Sequence, residues 1–299
     1  MRYATLGETG PAVSELGLGC AELGSGVGPA EARAVVEAAL EAGVTYFDTA
    51  DSYGAGASET VLGEVLRSRR DSVVIATKFG RDAGVTVSAP RASRKYMRAA
   101  LEESLRRLRT DYIDLYQQHD PDDSDMLDDT IYSLNLLVGE GKIRAFGSSN
   151  YEPWRIAEAD SVARAHNHGR PCSARSRYNL LHREPETSLI PYCVRSGISL
   201  VASSPLAGGL LAGESQRTES AGPLAKKRVQ TIQEFAAESG TGILNVAIGA
   251  ILARPGVTSV LVNAMTPGQV RATAGAATWR PAEADLGRLD SIAPPGSAI

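Results

Sequence analysis

Four polar side chains stand where short apolar runs end. Asp48 follows the run GVTYF, Lys78 closes SVVIATK, His119 closes YIDLYQQH, and Tyr53 lies just beyond Asp48 in the glycine-flanked turn YGAG. A phenol ordinarily titrates near about 10, too high for efficient proton exchange at neutral pH. An ammonium group beside it favours phenolate, and a carboxylate paired with that ammonium holds it charged and oriented. A histidine nearby can hydrogen-bond the reacting oxygen. Together these are the parts needed to add or remove a proton at a carbonyl or alcohol oxygen while something else moves a hydride. Each also has an ordinary reading: a strand-end Asp caps a helix, a loop Tyr packs, Thr-Lys ends a strand, and His119 caps a turn. What favours the chemical reading is their joint placement at the ends of neighbouring strands.

Those ends belong to a repeating pattern of short apolar run, polar or Gly-rich loop, and amphipathic helix. Strands are expected at 15–20, 44–49, 72–78, 112–119, 143–149, 171–175, 198–204 and 257–262. Between them, AEARAVVEAALEAG sets Val35, Ala39 and Leu40 on one helical face with Gly43 as the stop. SRKYMRAALEESLRRLRTD has Ser93 as N-cap and Leu101, Leu105 and Leu108 at helical spacing. Alternating strands and helices imply a parallel sheet with right-handed crossovers. Eight such units fit a closed (β/α)8 TIM barrel, an α/β fold, spanning 1–299 as a single domain. An open doubly wound sheet fits less well, because GLGCAELGSG lacks a GxGxxG register leading into a helix. The opening segment, with GETG between two short runs, predicts an N-terminal β-hairpin capping the barrel bottom. In such a barrel the C-terminal strand ends face the active site, so Asp48, Lys78 and His119 converge with Tyr53. The polar stretch 214–227 is expected as a long loop on that same face.

Composition narrows the partners. The chain has 299 residues, 43% hydrophobic and 22% charged, with a net charge of −4. No basic footprint argues for nucleic acid or an anionic membrane. Cys20, Cys172 and Cys193 are scattered and odd in number, which fits a reducing compartment. The start MRYATLGETG lacks the apolar core of a signal peptide, and no apolar run approaches a membrane span. A cytoplasmic protein is expected. His119, His166, His168 and His182 have no metal-ligand spacing, so no metal is expected. Aromatic content is 5%, which makes a polar or bulky substrate a better match than a flat aromatic one, with Phe79 and Trp154 among the few aromatics near the mouth.

Beyond these readings the chain resembles the aldo-keto reductase family. The resemblance is carried by GVTYFDTADSYGAGASETVLGEVL, VVIATKFG, YIDLYQQHDPD, GKIRAFGSSN, RYNLLHREPETSLIPYCVRSGISLVASSPLAGGLLAG and PGVTSVLVNA. It implies a barrel, the catalytic tetrad Asp48, Tyr53, Lys78 and His119, and reversible reduction of aldehydes or ketones by NADPH with Tyr53 as proton donor. Ser149 and Asn150 match the pair that holds the nicotinamide carboxamide.

Departures from the family pattern gather on the cofactor. Arg175 stands where a carboxamide-binding Gln is usual, and Ser203 stands where an aromatic usually stacks on the nicotinamide. Asn263, Gln269 and Thr273 occupy the positions around the adenosine phosphate, with Arg271 as a substitute phosphate ligand. The segment PLAGGLL, including Pro205, Leu206 and Gly208, is expected to offer backbone amides to the pyrophosphate. The leading expectation is an NADP-dependent oxidoreductase acting on a small-molecule carbonyl or alcohol. A second is a non-redox dehydratase, cyclase or isomerase using the same tetrad, motivated by Arg175 and Ser203. A third is a non-catalytic binding or regulatory subunit, against which the intact tetrad argues.

Overall fold

The computed structural model describes residues 1–81, 83, 89–122, 126–213 and 221–299. A hairpin opens the chain: β1 (Tyr3–Thr5) pairs antiparallel with β2 (Ala12–Ser14), Ala4 opposite Val13. Then follow β3 (Leu16–Gly19), β4 (Tyr46–Asp48), β5 (Val74–Phe79), β6 (Ile113–Gln118), β7 (Ile143–Ser149), β8 (Ser173–Arg177), β9 (Ser199–Ser203) and β10 (Val257–Asn263). These eight are parallel neighbours in chain order, and β10 closes back on β3. The helices are α1 (Pro29–Glu41), α2 (Ala57–Val65), α3 (Arg94–Leu108), α4 (Leu127–Gly139), α5 (Pro153–Ala165), α6 (Leu189–Ser196), α7 (Pro223–Glu238), α8 (Ile243–Leu252), α9 (Pro267–Ala276) and α10 (Glu283–Ile292). The fold is the (β/α)8 barrel with an N-terminal hairpin that the alternating pattern predicts.

Local chemistry explains the helix bounds. Ser93 Oγ accepts from Tyr96 N at 3.3 Å, and α3 then buries Met97, Leu101, Leu105 and Leu108 on one side. It stops at Arg109, in the left-handed region at φ 53. Helix α1 begins with Pro29 in its first turn and turns its buried Val35 and Ala39 inward, with Leu40 half-buried. Residues 214–220 of the expected polar loop lie outside the described residues. Its remainder is not loop: Gly222 and Pro223 start α7, a proline in the first turn costing no helical hydrogen bond.

Strand alternation sorts the barrel into lumen and wall. The registers trace the lumen-facing side of every strand: Gly17 opposite Tyr46, Tyr46 opposite Val74, Ala76 opposite Leu115, Leu115 opposite Ala145, Gly147 opposite Ser173, Arg175 opposite Val201, Val201 beside Ser259, and Leu261 beside Gly17. The apolar members, Tyr46, Val74, Ala76, Leu115, Ala145, Val201 and Leu261, form one buried cluster with Leu6 and Val13 of the hairpin. The hairpin thus plugs the bottom with apolar side chains. The opposite set of side chains packs outward under the helices. Phe79 belongs there: it is fully buried against Tyr116, ring centroids 4.8 Å apart, so it does not line the mouth. Trp154 is 63% exposed at the start of α5. Among the described residues no single helix is long and apolar enough to cross a membrane.

The lumen turns polar toward the C-terminal strand ends. Asp48, Lys78, Gln117, Ser149, Arg175, Ser203 and Asn263 continue the rows that begin apolar below. Gly19 makes room for this layer, because a Cβ there would lie 2.1 Å from Asn263 Oδ1.

Candidate active site

Lys78 stands one rung above Ala76, which is opposite Asp48 on the neighbouring strand. From there Nζ donates to Asp48 Oδ1 at 2.7 Å and to Thr49 O at 2.6 Å. Both side chains are buried, at 0% and 1% exposure. A pair that dry is held by orientation: removing one member leaves an uncompensated buried charge, costing about 3–5 kcal/mol. The loop after β4 is tied down from several sides. Cys20 N donates to Asp48 O at 2.9 Å, Thr49 N to Ala76 O at 2.8 Å, and Asp51 N to Lys78 O at 3.2 Å. Thr49 Oγ1 and Ser58 Oγ share a hydrogen bond at 2.8 Å, and Ser58 Oγ donates to Cys20 O.

Tyr53 begins the short turn that leads into α2. Gly56 ends that turn at φ +90, and a Cβ there would meet the Arg107 side chain at 2.5 Å. Both constraints require glycine. Arg107 is fixed in turn by Glu59 of α2, its Nε donating to Oε2 at 2.7 Å, while Thr77 Oγ1 donates to Glu59 Oε1 at 2.5 Å. The loop so held places the Tyr53 ring 5.0 Å from Lys78 Nζ and edge-on to the His119 ring at 5.6 Å. Asp48, Tyr53, Lys78 and His119 therefore come together at one point of the mouth.

His119 continues β6, its N–H donating to Phe79 O at 2.9 Å, and its Nδ1 lies 3.5 Å from Ser52 Oγ. Burial, then the Lys78 and Arg81 charges, push its pKa down to about 2. His119 is a neutral imidazole there, able to hydrogen-bond an oxygen without carrying charge. Behind the loop, Asp51 is fully buried and neither carboxylate oxygen has a hydrogen-bond partner among the described residues. Burial, with the Glu59 carboxylate near it, pushes the Asp51 carboxyl up to about 7.

The expected cofactor residues divide into two groups. Ser149 and Asn150 end β7 next to the tetrad, and Asn150 adopts φ 57. Asn150 N donates to Arg175 O at 2.9 Å, and its Nδ2 donates to Asp120 Oδ1 at 2.7 Å and His119 O at 3.2 Å. Arg175 lies opposite Ser149 in register, with a terminal nitrogen donating to Ser149 Oγ at 3.4 Å. It also reaches across the lumen, Nε 3.4 Å from Asp48 Oδ1, a contact that strand spacing along the sequence does not reveal. Burial opposes the Arg175 charge, but Asp48 and Tyr53 together raise its pKa further. Ser203 is buried at the end of β9, opposite Arg177.

The second group lines a cleft of about 490 Å³ along β9 and β10, whose walls include Pro205, Leu206, Gly208, Asn263, Gln269 and Thr273. Its small, partly apolar walls fit an extended ligand, as the adenosine half of a dinucleotide would be. Its polar groups are largely spent on the protein itself. Gln269 Oε1 accepts from Met265 N and Thr266 N in a capping box at the start of α9, and Thr273 Oγ1 donates back to Gln269 O and Val270 O. The amides of Ala207 and Gly209 donate to Ser204 O and Leu206 O, and Pro205 has no N–H to give. The expected run of amides for a pyrophosphate is thus partly consumed within its own turn. Among the described residues no cation lines the cleft, and Arg271 is exposed on α9 outside it.

Comparison with known proteins agrees with this architecture. The model of the Aldo/keto reductase family matches residues 15–294. The chain is 32% identical over 293 residues to the uncharacterized oxidoreductase YrpG of Bacillus subtilis, covering 91% of this chain and 90% of that protein. It is likewise 32% identical over 302 residues to the aldo-keto reductase YhdN of the same organism, covering 93% and 89%. A probable voltage-gated potassium channel subunit beta of rice (Oryza sativa) is 30% identical over 293 residues, covering 90% and 89%.

Proposed function

Because the chain belongs to the aldo-keto reductase family, a family of NAD(P)H-dependent oxidoreductases, we propose that it reduces an aldehyde or ketone of a small molecule with Tyr53 as proton donor. The observation that carries this reading is the buried Lys78–Asp48 pair, its ammonium 5.0 Å from the Tyr53 ring. A cation at that distance stabilises phenolate, so the Tyr53 hydroxyl can release its proton to a carbonyl oxygen as charge develops there. Asp48 holds Lys78 in place. Neutral His119, edge-on to Tyr53, hydrogen-bonds the same oxygen and orients it. The hydride is what a bound nicotinamide dinucleotide would supply. Ser149 and Asn150 are proposed to meet its carboxamide, and the β9–β10 cleft its adenosine end. Asn263, Gln269 and Thr273 offer no guanidinium for a 2′-phosphate. NADP is therefore proposed as a cofactor but not as a strongly preferred one.

A second reading has its own observation. The Arg175 guanidinium lies between Ser149 and Asp48, where a nicotinamide ring would need space, and Ser203 supplies no stacking surface. It favours a non-redox reaction using the same proton-transfer set. The name of the rice relative raises a third, a subunit of an ion-channel assembly. Four converging groups with a buried charge pair argue for chemistry over that role. Fluorescence titration with NADPH and NADH, followed by turnover of an aldehyde panel, decides among them. Binding with nucleotide oxidation is expected; no quenching by either nucleotide would sink the reductase reading.

A further inference from the structure

Strand β8 brings two arginines into the mouth, and neither is fully used by the protein. Arg175 Nε is 3.4 Å from Asp48 Oδ1, and its nearest hydrogen bond, to Ser149 Oγ, is also 3.4 Å. Formed guanidinium–carboxylate bonds are shorter, about 2.7–2.9 Å. Arg175 Nε has no hydrogen-bond partner among the described residues. Asp48 Oδ1 is already held by Lys78 at 2.7 Å. Two residues on, Arg177 faces the lumen side by strand alternation and is exposed, with no ion pair among the described residues. Its neighbour in register is Ser203, a side chain small enough to leave space beside the guanidinium. The two rungs are about 6.6 Å apart along the strand.

The charge balance at the mouth points the same way. Lys78 and Arg175 face one buried carboxylate, Asp48, Arg177 stands one rung further out, Arg81 is matched by Asp120, and Glu22 lines the neighbouring cleft. His119 adds no charge. The cations named here outnumber the carboxylates by one, in a chain whose net charge is −4. A guanidinium fork binds carboxylate or phosphate oxygens in pairs, and a recessed site strengthens that attraction.

We propose that Arg175 and Arg177 form an anion-binding ladder on β8, which selects substrates carrying a carboxylate or phosphate group a few bonds from the reacting carbon. The anion site stands on its own, and the carbonyl part of this substrate class rests on the reductase reading above. Arg177 captures the anionic group at the mouth, and Arg175, one rung below beside the position proposed for the nicotinamide, adds its charge to the site.

The test uses the full chain with three probes of one frame: 4-formylbenzoate, its neutral methyl ester, and 4-formylphenyl phosphate. Wild type should favour at least one charged probe over the ester in kcat/KM, and Arg177→Gln should lower that preference at least tenfold, chiefly through KM. Arg177→Lys should restore part of it. Whichever charged probe is preferred identifies the anion as carboxylate or phosphate. Calorimetric titration with 4-(hydroxymethyl)benzoate and with phenyl phosphate, without nucleotide, reads the anion site apart from turnover. Binding of either that is lost in Arg177→Gln supports the ladder even if no aldehyde is reduced, in which case the reductase reading alone fails. Turnover without preference for charge, or a Arg177→Gln defect confined to nucleotide affinity, would overturn the ladder and leave the reductase reading standing.

Discussion

The β4–β6 side of the mouth and the β8–β10 side are built on different principles. On the first, charged groups are buried in pairs: Lys78 with Asp48, Arg107 with Glu59. Lys78 Nζ also donates to Thr49 O, and Glu59 also accepts from Thr77 Oγ1. On the second, Gln269 caps its own helix and Thr273 bonds its own helix backbone, while Arg175 bridges loosely toward the other side. Losing a member of a buried pair costs stability as well as chemistry. Losing a side chain from a ligand cleft costs only affinity, roughly 1.5–3 kcal/mol for one charge-assisted contact. That difference would account for a site that keeps Asp48, Tyr53, Lys78 and His119 together beside positions, Arg175, Ser203 and Asn263, at which the sequence departs from the expected cofactor pattern.

The largest expected effect lies on the paired side. Tyr53→Phe should lower kcat by roughly 10²–10⁴-fold, the usual worth of a general acid, while nucleotide affinity and melting temperature stay near wild type. Single-turnover measurement with a reducible aldehyde reads it; a variant retaining most of its rate would remove Tyr53 from the mechanism. Next comes the pair itself. Lys78→Met should destabilise the fold by about 3 kcal/mol, the low end for a broken buried pair, because Arg175 remains 3.4 Å from Asp48. Urea unfolding checks it. In the Arg175→Gln background the same change should cost more, since no cation then remains beside Asp48; equal costs in both backgrounds would deny that Arg175 shares the carboxylate.

How legible was this in the sequence? The barrel was, because short apolar runs and amphipathic helices alternate with little interruption, and the residues ending those runs are the ones that converge. Boundaries were less so. The sixth strand is expected at 171–175 and lies at Ser173–Arg177, since Pro171 has no N–H to give and the ladder begins at Cys172, whose N bonds Phe146 O and whose O accepts from Ser199 N. That shift of two residues brings Arg177 into the sheet. Contacts across the lumen were not legible at all. Asp48 and Arg175 sit on strands far apart around the barrel, and no local pattern encodes a diagonal reach. The buried Asp51 and Glu59 read as ordinary loop and helix polar residues, because nothing in ADSYGAGASET says that Arg107 and Thr77 will close over them.

Asp51 sharpens the contrast, since it is an acid on the paired side with no ion pair among the described residues. Its pKa in the folded protein, about 7, lies above the ordinary aspartate value of about 3.9. The folded state therefore holds the proton more tightly than the unfolded chain. The stability this contributes is complete below pH of about 4 and is lost as pH rises toward about 7. Asp51→Asn removes that dependence. Its amide hydrogens would also lack partners, so we expect a net gain of only about 1–2 kcal/mol at pH 8, with a loss at pH 4. Thermal melts across pH 4–8 test this, and parallel curves for the two proteins would refute the protonated carboxyl.

The smallest expected effect lies on the other side of the mouth. A 2′-phosphate carries nearly two negative charges and gains most from a guanidinium fork. The cleft walls hold Asn263, Gln269 and Thr273, with no cation among the described lining residues, and the Gln269 side-chain oxygen is committed to the capping box. Arg271 follows Gln269 by two residues on α9, which turns it about 200° around the helix, and it is not among the cleft's lining residues. NADPH should therefore be preferred over NADH by about tenfold or less, a difference of about 1.4 kcal/mol. Arg271→Ala should change that ratio by less than about threefold, well under one charge-assisted contact. Dissociation constants for both nucleotides, wild type against variant, measure it. A preference above about a hundredfold that collapses in the variant would mean that Arg271 swings onto the phosphate when the nucleotide binds. The second side of the mouth would then be a charged site relocated along α9, and the contrast with the buried pairs of β4–β6 would lose its basis.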